Sequence, residues 1–264
     1  MRNFALILFL AALALSGCNA KEKAEEEAGP LSQNYHVVAV AHGGTIHGKV
    51  TIENAAVAMR IEIQKDQDAC HDSHTNPSAP VNQGVASGTI VYLERVDSGK
   101  AWVTQTAMLE QKGCEYLPHV QVLQRGSTMR LTNGDDALHN SNFKLNGITE
   151  FNPAQPKGAP PQEIKLTKDG LYTVNCDVHP WMRGFVQVMD HPYFAVVDAN
   201  GSYTIANIPP GNYTLKLWRD NWQIDQPKDA SGHITTYNWG SDFRKQQPVT
   251  VAASTSQEIN FSLP

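Results

Sequence analysis

Tyr172-Thr173-Val174-Asn175-Cys176-Asp177-Val178-His179-Pro180-Trp181-Met182 is the stretch on which the reading of this chain turns. Its first half alternates. Tyr172, Val174 and Cys176 fall on one face of an extended strand, because successive side chains of a strand point to opposite sides. The Cys176 thiol therefore leaves the strand facing the core. Beyond it the chain has to turn, and a loop of this length can bring a cysteine sulfur, a histidine nitrogen and a methionine sulfur to one centre. A second imidazole from elsewhere would complete three strong ligands with a weak axial thioether. Thiolate and thioether are soft donors and two imidazoles hold both oxidation states, a donor set that selects copper.

Outward from this stretch the period of two persists. Ile46, Gly48, Val50 and Ile52 alternate with His47, Lys49 and Thr51; Val57, Met59, Ile61 and Ile63 do the same, as do Ile259, Phe261 and Leu263. This is the pattern of half-buried strands. Asp198-Ala199-Asn200-Gly201 and Pro209-Pro210-Gly211-Asn212 read as turns joining adjacent strands, proline presetting one dihedral and glycine accepting a positive one. No long amphipathic helix with caps interrupts them, so the fold class is all-β, built of sandwiches. A length of 264 residues suggests about two domains, and 18% charged residues with 41% hydrophobic exclude wholesale disorder or a collagen-like fibre. With a net charge of -5 and no basic cluster, nothing is available to neutralise a phosphate backbone, which excludes nucleic acid as a partner.

The second imidazole is expected from His139, in Leu131-Thr132-Asn133-Gly134-Asp135-Asp136-Ala137-Leu138-His139-Asn140. With it, the segment from Met108 to Met189 resembles a cupredoxin, the Greek-key sandwich of blue copper proteins. A Gly-x-Thr-x-x-x-x-Asn run at Gly126 to Asn133 precedes the His-Asn pair, and the Cys-x2-His-x2-Met loop is most similar to that of the amicyanins. The resemblance implies one type 1 copper site with ligands His139, Cys176, His179 and axial Met182, and implies that Asn140 holds the two ligand loops together. His179 is expected near the surface, its ring edge offering a route for the electron, with Pro180 and Trp181 in an apolar docking patch.

What the chain lacks narrows the copper class. A binuclear electron-transfer centre would need a second cysteine in the loop; a multicopper oxidase would need His-x-His pairs and a His-Cys-His bridge; a storage protein would show methionine-rich repeats, whereas 6 Met are scattered here. An enzyme would need an open coordination position or a second metal, and the sequence identifies neither. The expectation is a non-enzymatic, one-electron carrier serving a redox partner protein. The alternatives are copper sequestration or delivery, and a structural or carbohydrate-binding-like envelope module.

The flanks resemble a different family. Gly44-Thr45-Ile46-His47-Gly48-Lys49-Val50 and the run from Ala199 to Leu215, with its Pro-Pro-Gly-x-Tyr turn, look like two parts of a carboxypeptidase regulatory-like, transthyretin-like sandwich. The organisation this implies is a signal peptide over 1–17, a tether over 18–35, a first sandwich part over 36–104, the cupredoxin over 105–190 and the second sandwich part over 191–264. The cupredoxin is read as an insertion.

At the N-terminus Arg2 precedes an apolar run from Phe4 to Leu15, too short to span a bilayer and suited to a secretory signal. Leu15-Ser16-Gly17-Cys18 resembles the bacterial lipobox, which implies lipidation at Cys18 and a membrane anchor on the periplasmic face. Asn19 favours the outer membrane over the inner. The Lys/Glu/Ala-rich stretch from Ala20 to Gln33 cannot bury a core and reads as a solvated tether. Of the remaining cysteines, Cys70 and Cys114 can form a disulfide in an oxidising compartment. Cys70, His71 and His74, with or without Cys114, form a competing second metal site. His119 and His191 read as structural or exposed imidazoles.

Overall fold

The computed structural model describes residues 35–53, 59–80 and 84–264. Cys18, the signal, nearly all of the tether and the Val57 end of the second alternating run lie outside them. The described chain is all-β apart from one four-residue helix, Gln67–Cys70. No helix among the described residues is long and apolar enough to cross a membrane.

One sandwich draws on both ends of the chain. Gly44–Ile52 buries every second residue, as its alternation predicts. It pairs antiparallel with Ser202–Ile208 and parallel with Ser256–Glu258 and Phe261–Leu263. Gly48 is required here, because a Cβ at that position would lie 1.8 Å from the Ile259 carbonyl oxygen. The other sheet orders Phe194–Val196, Ile90–Leu93, Gly211–Arg219 and Phe243–Val251. Ile46, Val50, Val91, Leu93, Ile205, Leu217 and Phe261 fill one core supplied by both sheets. The turns at Asp198–Gly201 and Pro209–Pro210 therefore do not join paired neighbours; each carries the chain from one sheet to the other. Burial of both sheets' apolar faces, not hairpin pairing, decides where these strands go.

The second sandwich is formed by a five-stranded sheet ordered Ile148–Phe151, Asn142–Leu145, Gly170–Asn175, Arg183–Met189 and Val120–Gln124, and a four-stranded one ordered Gln162–Lys165, Thr128–Asn133, Thr106–Gln111 and Tyr116–Leu117. Its core holds Leu109, Met129, Leu131, Phe143, Tyr172, Val174, Val186 and Val188.

Two excursions from the first sandwich depart from the expected partition. The hairpin of Arg60–Glu62 with Ser73–Thr75 sends Ile61, Ile63 and Cys70 into the second core, and Ile224 at the start of a later hairpin does the same. The excursions support one another. Tyr237 donates to the Glu62 carbonyl at 2.8 Å, and the Glu62 and Ile234 amides donate to Gln226 and Gln64 at 2.8 and 2.6 Å. Elsewhere the sandwiches meet through Ile90 and Trp218 of one against Val122, Phe185 and Met189 of the other. Beside that apolar contact, buried Asp220 accepts from His119 Nε2 at 2.9 Å and pairs with Ser78 and Arg183. Burial pushes the Asp220 carboxyl up, but His119 and Arg183 outweigh it and hold it below the usual range. His119 is thus a structural imidazole, as is the fully buried His191.

Candidate metal centre

Gly170–Asn175 turns Tyr172 and Val174 inward, and Cys176 continues that face, 3% exposed. The loop beyond closes on itself. The Met182 amide donates to the His179 carbonyl at 2.9 Å and the Cys176 amide to the Met182 carbonyl at 3.3 Å. His139 arrives from the other side on a short strand, His139–Asn140, whose preceding turn is fixed by Asn133. The Asn133 carboxamide accepts from the Asp135 amide at 2.9 Å and donates to the Ala137 and Gln155 carbonyls at 2.8 Å each.

The result is a triangle of donors. His139 Nδ1 lies 2.9 Å from His179 Nδ1, and Cys176 Sγ lies 3.9 and 3.7 Å from those two nitrogens. All three residues are buried, the two imidazoles at 0% exposure. Met182 is buried in the same core as Cys176. Asn140 spans the two loops. Its Oδ1 accepts from the Asp177 amide at 2.7 Å, and the Cys176 thiol lies 3.4 Å from that oxygen. Its Nδ2 donates to the Asp177 carboxylate at 2.9 Å.

The outer nitrogens decide what the inner ones can do. His139 Nε2 meets Asp135 Oδ2 at 3.0 Å and His179 Nε2 meets Asp66 Oδ2 at 2.9 Å. A carboxylate accepts only, so both Nε2 atoms carry protons and both Nδ1 atoms face inward, where each offers a lone pair once it holds no proton. Two bare nitrogens facing at 2.9 Å beside a sulfur repel unless a positive centre stands between them. In the metal-free chain the Nδ1 proton of a charged His139 takes that place. Burial pushes His139 down, yet Asp135 and Cys176 lift it to about 9; burial pushes Cys176 up, yet His139 and His179 bring it down to about 6. The cradle attracts a cation, and two imidazoles and a thiolate, with a thioether buried in the same core, are the kind of donor set that fits copper.

Three sequence expectations meet the structure differently. His179 is not at the surface. Its ring meets Asp66 at Nε2 and Trp181 with ring centroids 5.0 Å apart, and Lys65 beside Asp66 ties the covering loop to the Val178 carbonyl at 3.1 Å. Trp181 is 3% exposed and packs on Tyr237, so of the expected docking patch Pro180 alone remains exposed. The cause is the pair of excursions from the first sandwich. Cys70 and Cys114 are joined in a disulfide, which removes both sulfurs from a metal site with His71 and His74; for the same reason the buried grouping of Cys114, Asp135 and His139 is not a metal triad. Sequence reasoning missed Asp135 and Asp66. Asp135 sits four residues before His139, a spacing that could have pointed to it; nothing local marks Asp66.

Over residues 165–259, less than half of the chain, the sequence matches the family model described as polysaccharide lyase family 4, domain II. A carboxypeptidase regulatory-like module was expected in that region, on glycines and a Pro-Pro-Gly-x-Tyr turn. Such signals are generic to β proteins and do not separate one sandwich family from another. No curated protein matches the chain. Among solved structures, the copper-containing nitrite reductase of Thermus scotoductus SA-01 is 25% identical over 35% of this chain, with a TM-score of 0.31; the chain spans 24% of that enzyme. A purple cupredoxin from Nitrosopumilus maritimus is 29% identical over 31% of this chain and 98% of its own, with a TM-score of 0.28. Amicyanin from Paracoccus versutus is 26% identical over 31% and 80%, also with a TM-score of 0.28. Each of these likenesses takes in about a third of this chain.

Proposed function

We propose that this chain is a mononuclear copper protein of the cell envelope that carries single electrons for a redox partner protein. His139, Cys176 and His179 are its ligands, Met182 its weak axial donor, and Cys18 its lipid anchor on the periplasmic face. The observation that carries the reading is the inward triangle of Nδ1, Nδ1 and Sγ whose outer nitrogens are already committed to carboxylates. Copper bound there supplies a centre that changes by one electron. The chain's own residues keep the donors still through both states. Asp135 and Asp66 fix the rings, Asn140 ties the loops, and the surrounding core keeps water out. Fully buried donors leave a substrate no approach, which favours a carrier over an enzyme.

The test is optical and electrochemical. Copper-loaded protein is expected to show an intense thiolate band that bleaches on reduction and returns on oxidation. A copper complex without that band overturns the ligand assignment. Burial of His179 supports a second reading, copper sequestration or delivery, because the usual edge for electron exit is covered. Under that reading the protein holds Cu(I), stays colourless and passes metal to an acceptor without cycling.

A further inference from the structure

The loop that covers His179 is held from several sides. Asp66 precedes the short helix with φ 51° and ψ 39°, a left-handed conformation that Asp, Asn and Gly tolerate better than other residues. Its carbonyl accepts from the Ala69 and Cys70 amides at 2.9 Å each. The Gln67 carboxamide donates to the Ile63 carbonyl at 2.7 Å, and Ile61 and Ile63 anchor the hairpin in the second core. Cys70 is then bonded to Cys114. The Cys114 amide donates to Asp135 Oδ2 at 2.8 Å, the oxygen that receives His139 Nε2. One disulfide thus joins the backbone that carries Asp66 to the backbone that fixes Asp135.

Within this frame, among the described residues, the carboxylate of Asp66 alone meets the outer nitrogen of His179, while 44% of its side chain remains open to solvent. An imidazole free of such a partner exchanges between two tautomers, and only the Nε2–H form leaves Nδ1 bare for a metal. We propose that Asp66 is a positioning residue of the metal centre: held in place by the Cys70–Cys114 disulfide, it locks His179 as the Nε2–H tautomer and stands where solvent would otherwise meet the ring. The inference rests on the copper reading of the triangle.

Asp66→Gly and Asp66→Asn test it together. Glycine accepts the left-handed backbone and keeps both carbonyl hydrogen bonds, so its effect reports the side chain; asparagine keeps an oxygen able to accept from Nε2–H but loses the charge. In the metal-free protein, nitrogen NMR of His179 is expected to show the Nε2–H tautomer in wild type and Asp66→Asn, and a mixture in Asp66→Gly. In competition with a chelator, Asp66→Gly is expected to lose copper affinity 10- to 100-fold, the usual range for removing a partner of a ligating histidine, and Asp66→Asn less than tenfold. Both variants should raise the reduction potential, because the carboxylate makes the ring a better donor to Cu(II). An Asp66→Gly protein with wild-type tautomer and affinity within threefold of wild type overturns the assignment. The NMR arm needs no metal, so it stands or falls for Asp66 by itself; wild-type protein that fails to bind copper at all overturns the copper reading instead.

Discussion

The two histidines of the centre are matched in burial and in the carboxylate each meets, and they differ in where that carboxylate comes from. Asp135 lies four residues before His139 in the same turn and also accepts the Gly113 and Cys114 amides at 2.7 and 2.8 Å. Asp66 lies 113 residues from His179, on an excursion of the other sandwich. One ring is held by its own neighbourhood. The other is held by an excursion of the first sandwich, and so depends on everything that docks that excursion. The difference teaches that half of this centre is a local feature of the chain and half a product of how two sandwiches meet.

The largest expected effect falls on the element common to both halves. Cys176→Ser should abolish the thiolate band while leaving the fold intact, checked by absorption and circular dichroism; a variant that kept both band and copper would break the whole comparison. Next comes the staple. Replacing Cys70 and Cys114 by serine should lower stability by about 2 to 5 kcal/mol, the usual cost of losing a native disulfide in a secreted domain, measured by denaturant unfolding. If the halves are as unlike as they look, His179 should become reachable in that double variant while His139 stays closed.

Added imidazole sharpens the point. In an otherwise intact chain it should restore copper colour to neither His139→Gly nor His179→Gly, since both rings are fully buried. On the Cys70→Ser, Cys114→Ser background it should restore colour to His179→Gly alone. Rescue of His179→Gly with the disulfide intact would mean the covering loop opens unaided.

The smallest effect contrasts carboxylates with and without partners. Asp135 is held below the usual range, because His139 and two amides outweigh its burial. Asp190, at the junction of the sandwiches and 1% exposed, finds no hydrogen-bond donor from another residue among the described residues. Burial, reinforced by Asp169 against an opposing Arg125, raises it to about 6. Its folded pKa thus exceeds the unfolded value of about 3.9, so the folded chain binds more protons between about pH 4 and 6 and loses stability as pH rises through that window. Asp190→Asn should gain about 1 to 2 kcal/mol at pH 7 and nothing below about pH 4, seen as converging melting midpoints. A gain that persists at low pH would point to packing instead of charge.

Legibility followed the same division. Cys176, His179 and Met182 declare themselves within seven residues, and the alternation through Gly44–Ile52 and Tyr172–Cys176 is a local consequence of strand geometry. Asp135 was within reach of the sequence, since a carboxylate four residues before a candidate ligand histidine is a spacing that can be searched for. Asp66 was not: its neighbours are set by Ile61 and Ile63 choosing the second core, and by Gln226, Ile234 and Tyr237 arriving from more than 160 positions away. The exposed edge expected for His179 failed for that reason. It belongs to a sandwich standing alone, and here another sandwich reaches over it.

The parallel pairing of Gly44–Ile52 with Ser256–Glu258 and Phe261–Leu263 has a consequence in time. A chain made from its N-terminus outward must hold Gly44–Ile52 unpaired along that edge until residues 256–263 emerge, whereas the strands of the second sandwich, from Thr106 to Met189, are contiguous in sequence and can pair with one another earlier. The hairpin that carries Asp66 is also made early, but its props at Gln226, Ile234 and Tyr237 are made late. During biogenesis the donor triangle is therefore assembled before its roof is braced, and that interval is when a metal ion has the freest path inward.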